Sequence, residues 1–446
     1  MFDRARVVWC PAFLVFALSN CSDDGGGRPV ASLSGQAGSS IQASSERISY
    51  GGTLATGGLR TTGGVTTGGL STAGGATTGG SSSTGGIAAS GGAVGAMGVV
   101  QLSLGINHSC ALLADGIVTC WGYNKDGELG DGTTTNRSKP AIVADLSGAT
   151  GISAGDLHSC AGATNGTVKC WGANNYGQLG DGTGTNSSTP VVVQGLSNAV
   201  EVAAGWYHSC ARLSDDTVKC WGGNGYGQLG NDSAAGLAPV TVRGLSNVVQ
   251  LEVGDWHSCA RLNDGTVKCW GDNSQGQLGD GTTTTRTTAV VVQGLSGVVE
   301  IAARNYHSCA RLSNGTLKCW GWNWSGQLGD GTTANRLTPV VVQGLVGAEE
   351  IALGMGHTCA RLVSDTLECW GGNSSGQLGN GGATDQALPQ AVQGLSGAME
   401  VALGGAHTCA RTIDGKVTCW GSNFYGQLGD GTTTDRYTPA SFVELP

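Results

Sequence analysis

This 446-residue sequence lacks the features that mark helical, membrane-spanning or nucleic-acid-binding proteins. No window carries an apolar period of 3.6 residues, and glycine interrupts the chain so often that helices are not predicted. The longest apolar run, near the N-terminus, is too short to cross a bilayer as a helix. Acidic residues outnumber basic ones by 32 to 23, and Lys and Arg do not cluster. Nucleic acid is therefore not expected as a partner.

Motifs of catalysis are also absent. The sequence has no Gly-x-Ser-x-Gly elbow, no phosphate-binding loop, and no pair of carboxylates outside a repeated pattern. A catalytic group is rarely needed seven times, yet every histidine occupies one equivalent position of that pattern, and one set of tryptophans behaves likewise. These residues are His108, His158, His208, His257, His307, His357 and His407, and Trp121, Trp171, Trp221, Trp270, Trp320, Trp370 and Trp420. We therefore expect structural roles for them, and no enzyme activity, catalytic residue or cofactor.

What the sequence does contain is one unit repeated seven times. Each copy carries His-Ser/Thr-Cys, nine residues, Cys-Trp-Gly, and then Gly-Gln-Leu-Gly or a close variant, with a period of 50 residues that slips once to 49. Such a period is typical of propellers and solenoids. Turn residues divide each unit into four short strand-like segments, for example 190–196 and 200–204, the first of which begins with proline.

Seven units of four strands predict an all-β fold, a seven-bladed β-propeller of four-stranded antiparallel blades. The repeat region begins at residue 98 without a proline-led strand, and 437–446 supplies one at its end. We therefore predict that the C-terminal strand closes the ring by completing the blade begun at 98–137. The predicted propeller spans 98–446, in units 98–137 plus 437–446, 138–187, 188–236, 237–286, 287–336, 337–386 and 387–436.

Fourteen of the sixteen cysteines form seven Cys-x9-Cys pairs with a turn midway. Pairing Leu262 with Thr266 across such a turn places Cys259 opposite Cys269, at a Cα separation of about 4.5–5.5 Å that suits a disulfide. The third turn position needs a left-handed residue, which is Gly in five units and Asp216 or Asp365 in the others. The predicted disulfides join Cys110–Cys120, Cys160–Cys170, Cys210–Cys220, Cys259–Cys269, Cys309–Cys319, Cys359–Cys369 and Cys409–Cys419.

Two metal hypotheses compete with these interpretations. Zinc could use one Cys pair and a His per unit, but Cys-x9-Cys is not a zinc-ligand spacing. Calcium could use the Gly-Asp-Gly-Thr segments, which lack the alternating oxygen ligands of a calcium loop and are typical of turns. Those segments contain Asp131, Asp181, Asp280, Asp330 and Asp430. We therefore expect no metal.

The N-terminal residues predict export. Residues 1–21 combine two arginines, an apolar core of about 12 residues and a small-residue region, as a signal peptide does. The segment Leu18-Ser19-Asn20-Cys21 resembles a bacterial lipobox, so Cys21 is the candidate lipidation site, and ordinary cleavage after 17–19 is the alternative. Residues 22–97 are rich in Gly, Ser and Thr and predict a flexible linker of roughly 45–50 Å end to end.

The repeat unit resembles that of the regulator of chromosome condensation family. The resemblance rests on Gly-x-x-His, an Asp-Gly turn, Trp-Gly-x-Asn and Gly-Gln-Leu-Gly, as in 205–208, 221–224 and 227–230. It implies a seven-bladed propeller closed by its C-terminal strand. The paired cysteines depart from the family pattern, in which those positions are usually aliphatic or aromatic.

Positions that differ between the copies are the candidates for binding. Bulky aromatics precede the histidine in units three to five and follow Trp-Gly in unit five, and exposed loop aromatics are favoured anchors for partners. Local loop packing is the alternative. The predicted binding patch comprises Trp206, Tyr207, Trp256, Tyr306, Trp322 and Trp324.

We therefore expect a non-enzymatic binding module outside the cytoplasm, monomeric and membrane-associated only through its lipid anchor. Resemblance to the secreted β-lactamase inhibitor propellers of this repeat family favours a protein ligand, with the chain acting as an inhibitor or scaffold. Carbohydrate or surface-polymer binding is one alternative. Guanine-nucleotide exchange on a small GTPase, the best-known activity of the family, is the other.

Overall fold

A computed structural model of the chain describes residues 98–232, 236–439 and 442–446. Within these ranges the chain forms 27 strands and no helix, and it therefore holds no helix that could cross a membrane. The strands form seven antiparallel sheets arranged as the blades of a ring. The predicted all-β, seven-bladed propeller is thus confirmed. The signal peptide, Cys21 and the linker at 22–97 lie outside the described residues.

The blades follow one another in chain order, and each holds four strands except the seventh, which holds three. The first blade contains β1 (Val99–Leu104), β2 (His108–Leu113), β3 (Val118–Gly122) and β4 (Arg137–Ile142), and the second contains β5 (Ala149–Ala154), β6 (His158–Ala163), β7 (Val168–Gly172) and β8 (Ser187–Val192). The third contains β9 (Ala199–Ala204), β10 (His208–Leu213), β11 (Val218–Gly222) and β12 (Gly236–Thr241), the fourth contains β13 (Val248–Val253), β14 (His257–Leu262), β15 (Val267–Gly271) and β16 (Arg286–Val291), and the fifth contains β17 (Val298–Arg304), β18 (His307–Leu312), β19 (Leu317–Gly321) and β20 (Arg336–Val341). The sixth contains β21 (Ala348–Leu353), β22 (His357–Leu362), β23 (Leu367–Gly371) and β24 (Gln386–Ala391), and the seventh contains β25 (Ala398–Leu403), β26 (His407–Thr412) and β27 (Val417–Gly421).

The first strand of each blade lies at the centre of the ring, where it contacts the first strands of both neighbouring blades. The loop that leads into the second strand and the loop that follows the third strand lie at the same end of a blade, because these two strands are antiparallel neighbours. We call this end of the ring the upper face. The hairpin between the second and third strands lies on the opposite, lower face.

The predicted position of the C-terminal segment within the blades is wrong. The segments predicted to be proline-led first strands lie in the last strands of their blades, as Pro190 lies in β8, so the first blade is contiguous and complete from β1 to β4. The C-terminal segment instead bridges to β27 through Thr418–Phe442 and Gly421–Arg436. It still contributes to ring closure, because Val443 packs in one apolar cluster with Val99 of the first blade. A repeated unit leaves open where a blade begins, and only strand pairing decides it.

The hairpin turns follow the predicted geometry. The Leu262 N–H donates to the Thr266 carbonyl at 2.8 Å, and Gly265 has a φ of 81°. Asp216 and Asp365 adopt the same left-handed conformation, with φ values of 61° and 56°. All seven predicted disulfides form between directly opposed cysteines, with Cα separations of 4.0–4.1 Å.

The core lies between blades. Each of seven apolar clusters combines the tryptophan of one blade with the disulfide of the preceding blade. In one of them Trp320 packs with Cys259 and Cys269, and its side chain is 0% exposed. Such large buried rings dominate the energetics of a core. The disulfides therefore staple each hairpin and also form part of the contact surface between blades.

Candidate functional site

The repeated histidines join neighbouring blades in a closed circuit. Each is fully buried, and its Nε2 atom lies within hydrogen-bond distance of the Ser or Thr hydroxyl that follows the histidine of the next blade. The seven contacts are His108–Ser159 (2.9 Å), His158–Ser209 (2.7 Å), His208–Ser258 (2.8 Å), His257–Ser308 (2.9 Å), His307–Thr358 (3.1 Å), His357–Thr408 (3.0 Å) and His407–Ser109 (2.9 Å).

The partners of these hydroxyls fix the state of the histidines. The Thr358 hydroxyl, which His307 contacts, donates to the Gln327 carbonyl at 2.9 Å, and the Trp370 Nε1–H donates to the same carbonyl at 2.9 Å. A hydroxyl that donates in this way accepts from a protonated Nε2, so we assign the neutral Nε2–H tautomer to His307. Burial lowers the pKa of His307 to about 3, because the charged form loses its hydration. A histidine in this state is a structural residue rather than an acid or base.

The Gly-Asp-Gly-Thr segments are held by protein groups. The Asp330 carboxylate accepts hydrogen bonds from Thr332 and Asn323 and forms an ion pair with Arg336 at 2.6 Å. Asp131, Asp280 and Asp430 form the equivalent ion pairs. Among the described residues, no group of three or more His, Cys, Asp or Glu side chains is placed to hold a metal ion.

Side chains on the central strands cross from blade to blade. The Gln101 carboxamide accepts from the Ile152 N–H at 2.9 Å and donates to the Ile152 carbonyl at 3.0 Å, so it pairs with the open edge of β5. The Glu300 carboxylate accepts from the Ile351 N–H at 3.3 Å and binds Arg311 at 2.6 Å. Together these strands enclose a central cavity of about 150 Å³.

The upper face brings the aromatic residues of units three and four together. The ring centroids of Trp206 and Tyr207 are 4.9 Å apart and those of Tyr207 and Trp256 also 4.9 Å. Tyr176 extends this group at 4.4 Å from Tyr207, and Tyr226 at 5.1 Å from Trp256. Three of the six predicted patch residues therefore form one cluster, enlarged by two tyrosines that the sequence analysis did not include.

The other three predicted residues belong to the fifth blade on the same face. The Trp322 N–H donates to the Tyr306 carbonyl at 2.9 Å, and the Trp322 and Trp324 rings are 6.1 Å apart. Burial, together with the nearby Asp272, Asp255 and Tyr226 side chains, raises the pKa of Tyr306 to about 12. Tyr226 is thus near both Trp256 and Tyr306.

Tyr176 and Tyr226, which are not among the predicted patch residues, share one position in the repeat. Each lies two residues after the asparagine of Trp-Gly-x-Asn, and the side chains of Tyr176 and Tyr226 are 49% and 45% exposed. Phe424 lies one residue after this asparagine in the seventh blade and is 73% exposed. Trp324 occupies the same position in the fifth blade and is 59% exposed. We refer to the eight residues Tyr176, Trp206, Tyr207, Tyr226, Trp256, Tyr306, Trp322 and Trp324 as the aromatic surface.

Comparisons with known proteins agree with this architecture. The profile of the RCC1-like domain matches residues 197–445. Profiles of the regulator of chromosome condensation (RCC1) repeat match 115–161 and 165–212, and a second profile of this repeat matches 99–128 and 149–178.

Solved structures show the same fold at low sequence identity. Yeast RCC1 (Prp20), crystallised bound to Kap60, is 23% identical, with a TM-score of 0.65 over 78% of this chain and 85% of that one. Prp20p of Saccharomyces cerevisiae in a second crystal structure gives a TM-score of 0.64, at 23% identity over 77% and 86% of the two chains. Human WBSCR16 gives 0.63, at 23% identity over 69% and 85%. With the RCC1-like domain profile covering more than half of its length, this chain belongs to the RCC1-like propeller family.

Proposed function

We propose that this protein is a non-enzymatic binding module that acts outside the cytoplasm and captures a protein partner on its aromatic surface, as an inhibitor or scaffold. The observation that carries the proposal is the concentration of exposed and half-exposed rings on one face, at positions that differ between the seven units. Aromatic side chains are enriched among the residues that contribute most to protein interfaces. Positions that pack blades are alike in every unit, whereas these are not.

The disulfides support the location. Paired cysteines persist in oxidising compartments and are rare where thiols are kept reduced. Seven pairs within one propeller are consistent with an extracytoplasmic protein, as the predicted signal peptide suggests.

The direction of β1 determines on which face of the ring the N-terminal residues join the propeller. The Ala114 N–H of a lower-face hairpin donates to the Gly98 carbonyl at 3.0 Å, so the chain enters its first strand on the lower face. A tether attached through Cys21 would therefore join the propeller on the face opposite the aromatic surface.

Carbohydrate binding is a second candidate, supported by the adjacent rings of Trp322 and Trp324. A glycan array separates carbohydrate binding from protein binding, since only carbohydrate binding predicts selective retention of sugars. Exchange of guanine nucleotide on a small GTPase is less favoured, because such partners are cytoplasmic or nuclear while the disulfides indicate an oxidising compartment. The same fold also hosts unrelated functions.

The experiment is capture of extracellular proteins by the purified full-length chain, with identification by mass spectrometry. Replacing Trp322 and Trp324 by alanine should reduce recovery of the captured partner at least about tenfold, as loss of an interface anchor does. The melting temperature should change little. Phe424→Ala is the matched control, because it removes an exposed ring from the same face outside the aromatic surface. Equal capture by both variants, or a large loss of stability without a binding effect, would refute the proposal.

A further inference from the structure

The upper end of the central cavity, which we call the channel mouth, holds three buried ionisable side chains that only partly compensate one another. An Arg304 terminal nitrogen donates to Asp156 Oδ1 at 2.7 Å, from the fifth blade to the second. Asp255 Oδ1 accepts from the Asn305 N–H at 3.0 Å. Asp156 and Asp255 are 1% and 0% exposed, and within the described part of the chain their Oδ2 atoms have no hydrogen-bond partner. The Nε atom of Arg304 has none there either.

These charges occupy positions that break the repeat. Six units carry glycine at the position of Arg304, and a Cβ at Gly105, for example, would overlap the His108 ring and the Gly155 carbonyl. The fifth blade accommodates arginine by extending β17 to Arg304 and placing Asn305 at a φ of 46°. The packing of the blades therefore does not require this arginine.

The mouth holds one more carboxyl group than cation, and Asp255 is the carboxyl group that resists ionisation. Burial raises the pKa of Asp255 well above its usual range, the Asp156 carboxylate raises it further, and Arg304 only partly offsets both effects. Burying a carboxylate without full compensation is costly. A second cation would stabilise the ionised pair of carboxylates.

The surroundings suit an organic cation. Trp256 directly follows Asp255, and Trp206 lies in the equivalent loop of the third blade; both are half-buried, with ring centroids 5.3 Å apart. Aromatic faces attract guanidinium and ammonium groups. On the surrounding upper loops, Asp126, Asp181, Asp385 and Asp435 have no cationic partner among the described residues, against one unpaired cation, Lys125. Such a surplus of one sign steers ligands of the opposite charge.

We propose that the channel mouth receives an arginine or lysine side chain of the protein partner, whose N–H groups bind Asp156 Oδ2 and Asp255 Oδ2 beside the rings of Trp206 and Trp256. The inference rests on the proposed function and specifies the chemistry of the partner. A guanidinium suits the site best, because its planar fork can bind two carboxylate oxygens and stack on a ring. Access requires the Arg304 side chain to move aside.

The test titrates the full-length chain with an acetylated, amidated Gly-Arg-Gly peptide and with the same peptide carrying neutral citrulline, followed by tryptophan fluorescence and calorimetry. The arginine peptide should bind saturably, and at least about tenfold more tightly than the citrulline peptide, because citrulline has the shape but not the charge. Its affinity should rise with pH, as ionisation of Asp255 becomes easier. Free arginine should bind more weakly than the peptide.

Three variants, one of them a control, sharpen the result. Asp255→Asn is nearly isosteric and should weaken the arginine peptide about tenfold or more, while Asp264→Asn, the same change on the lower face, should not. Arg304→Gln should strengthen binding, because the incoming guanidinium no longer competes with Arg304. Equal affinity for the arginine and citrulline peptides, full affinity in Asp255→Asn, no saturation at millimolar peptide, or tighter binding of free arginine would overturn the inference. If the aromatic surface still captures a protein in any of these cases, the proposed function stands without it.

Discussion

The interfaces between blades and the loops of the upper face differ in how closely they follow the repeat. At each interface the same tryptophan, disulfide and histidine recur, and their polar atoms bind the neighbouring blade. On the upper face the equivalent positions hold residues as different as Gly405, Asp255 and Trp206. Recurrence thus marks the groups that build the ring, and departure from it marks those available for recognition. Three perturbations test this contrast.

The largest expected effect is a loss of stability of the propeller at acid pH, where the histidines of the circuit become protonated. Burial lowers the pKa of six of the histidines from 6.5 to about 3 and that of His257 to about 4. The unfolded chain therefore binds protons between about pH 3 and pH 6.5 that the folded chain does not, and stability falls as pH falls. The difference is worth on the order of 3–5 kcal/mol per histidine.

Buried carboxylates act in the opposite direction at higher pH. Burial raises the pKa of Glu252 and Glu350 to about 8, so their contribution to stability is lost as pH rises through that value. Below about pH 4.5 these groups are protonated in both states, and the histidines dominate. We expect the midpoint concentration of guanidinium chloride for unfolding to fall steeply between about pH 5 and pH 3. A constant midpoint across this interval would show that the circuit is not neutral when folded.

The next effect compares two tryptophans of one blade. Trp320→Ala should lower the free energy of unfolding by about 3–5 kcal/mol, because it empties a buried interface. Trp324→Ala, 59% exposed, should change it by less than about 1 kcal/mol. Guanidinium denaturation measures both. Similar losses for the two variants would remove the distinction between interface and upper face.

Removal of one disulfide should lower stability less than removal of the buried tryptophan. Replacing Cys309 and Cys319 by alanine releases a ten-residue loop and removes part of the contact with Trp370. We expect a loss of about 2–3 kcal/mol, since the hairpin is favoured locally and the entropic gain from the bond is correspondingly limited. The aromatic surface lies on the other face, so partner capture should persist. Loss of capture with full stability would indicate that this hairpin contacts the partner.

Local rules made the fold and part of the site predictable. Gly265 and the opposed cysteines follow from turn geometry, and the strands follow from the spacing of apolar and turn residues. Trp206, Tyr207 and Trp256 were recognisable because they interrupt an otherwise regular unit. The roles of Tyr226 and Arg304 were not, because each acts through residues of another blade: Trp256 in one case and Asp156, 148 positions away, in the other.

The sequence by itself determined the number of blades, the hairpins, the cysteine pairs and the positions free to vary, because each of these depends on neighbours within one repeated unit. The tertiary structure decided that the C-terminal segment pairs with β27, that the histidines bind the next blade, and that Asp156, Asp255 and Arg304 meet at one channel mouth. These contacts join different units, and a repeat of identical local signals does not specify which copies meet across the ring.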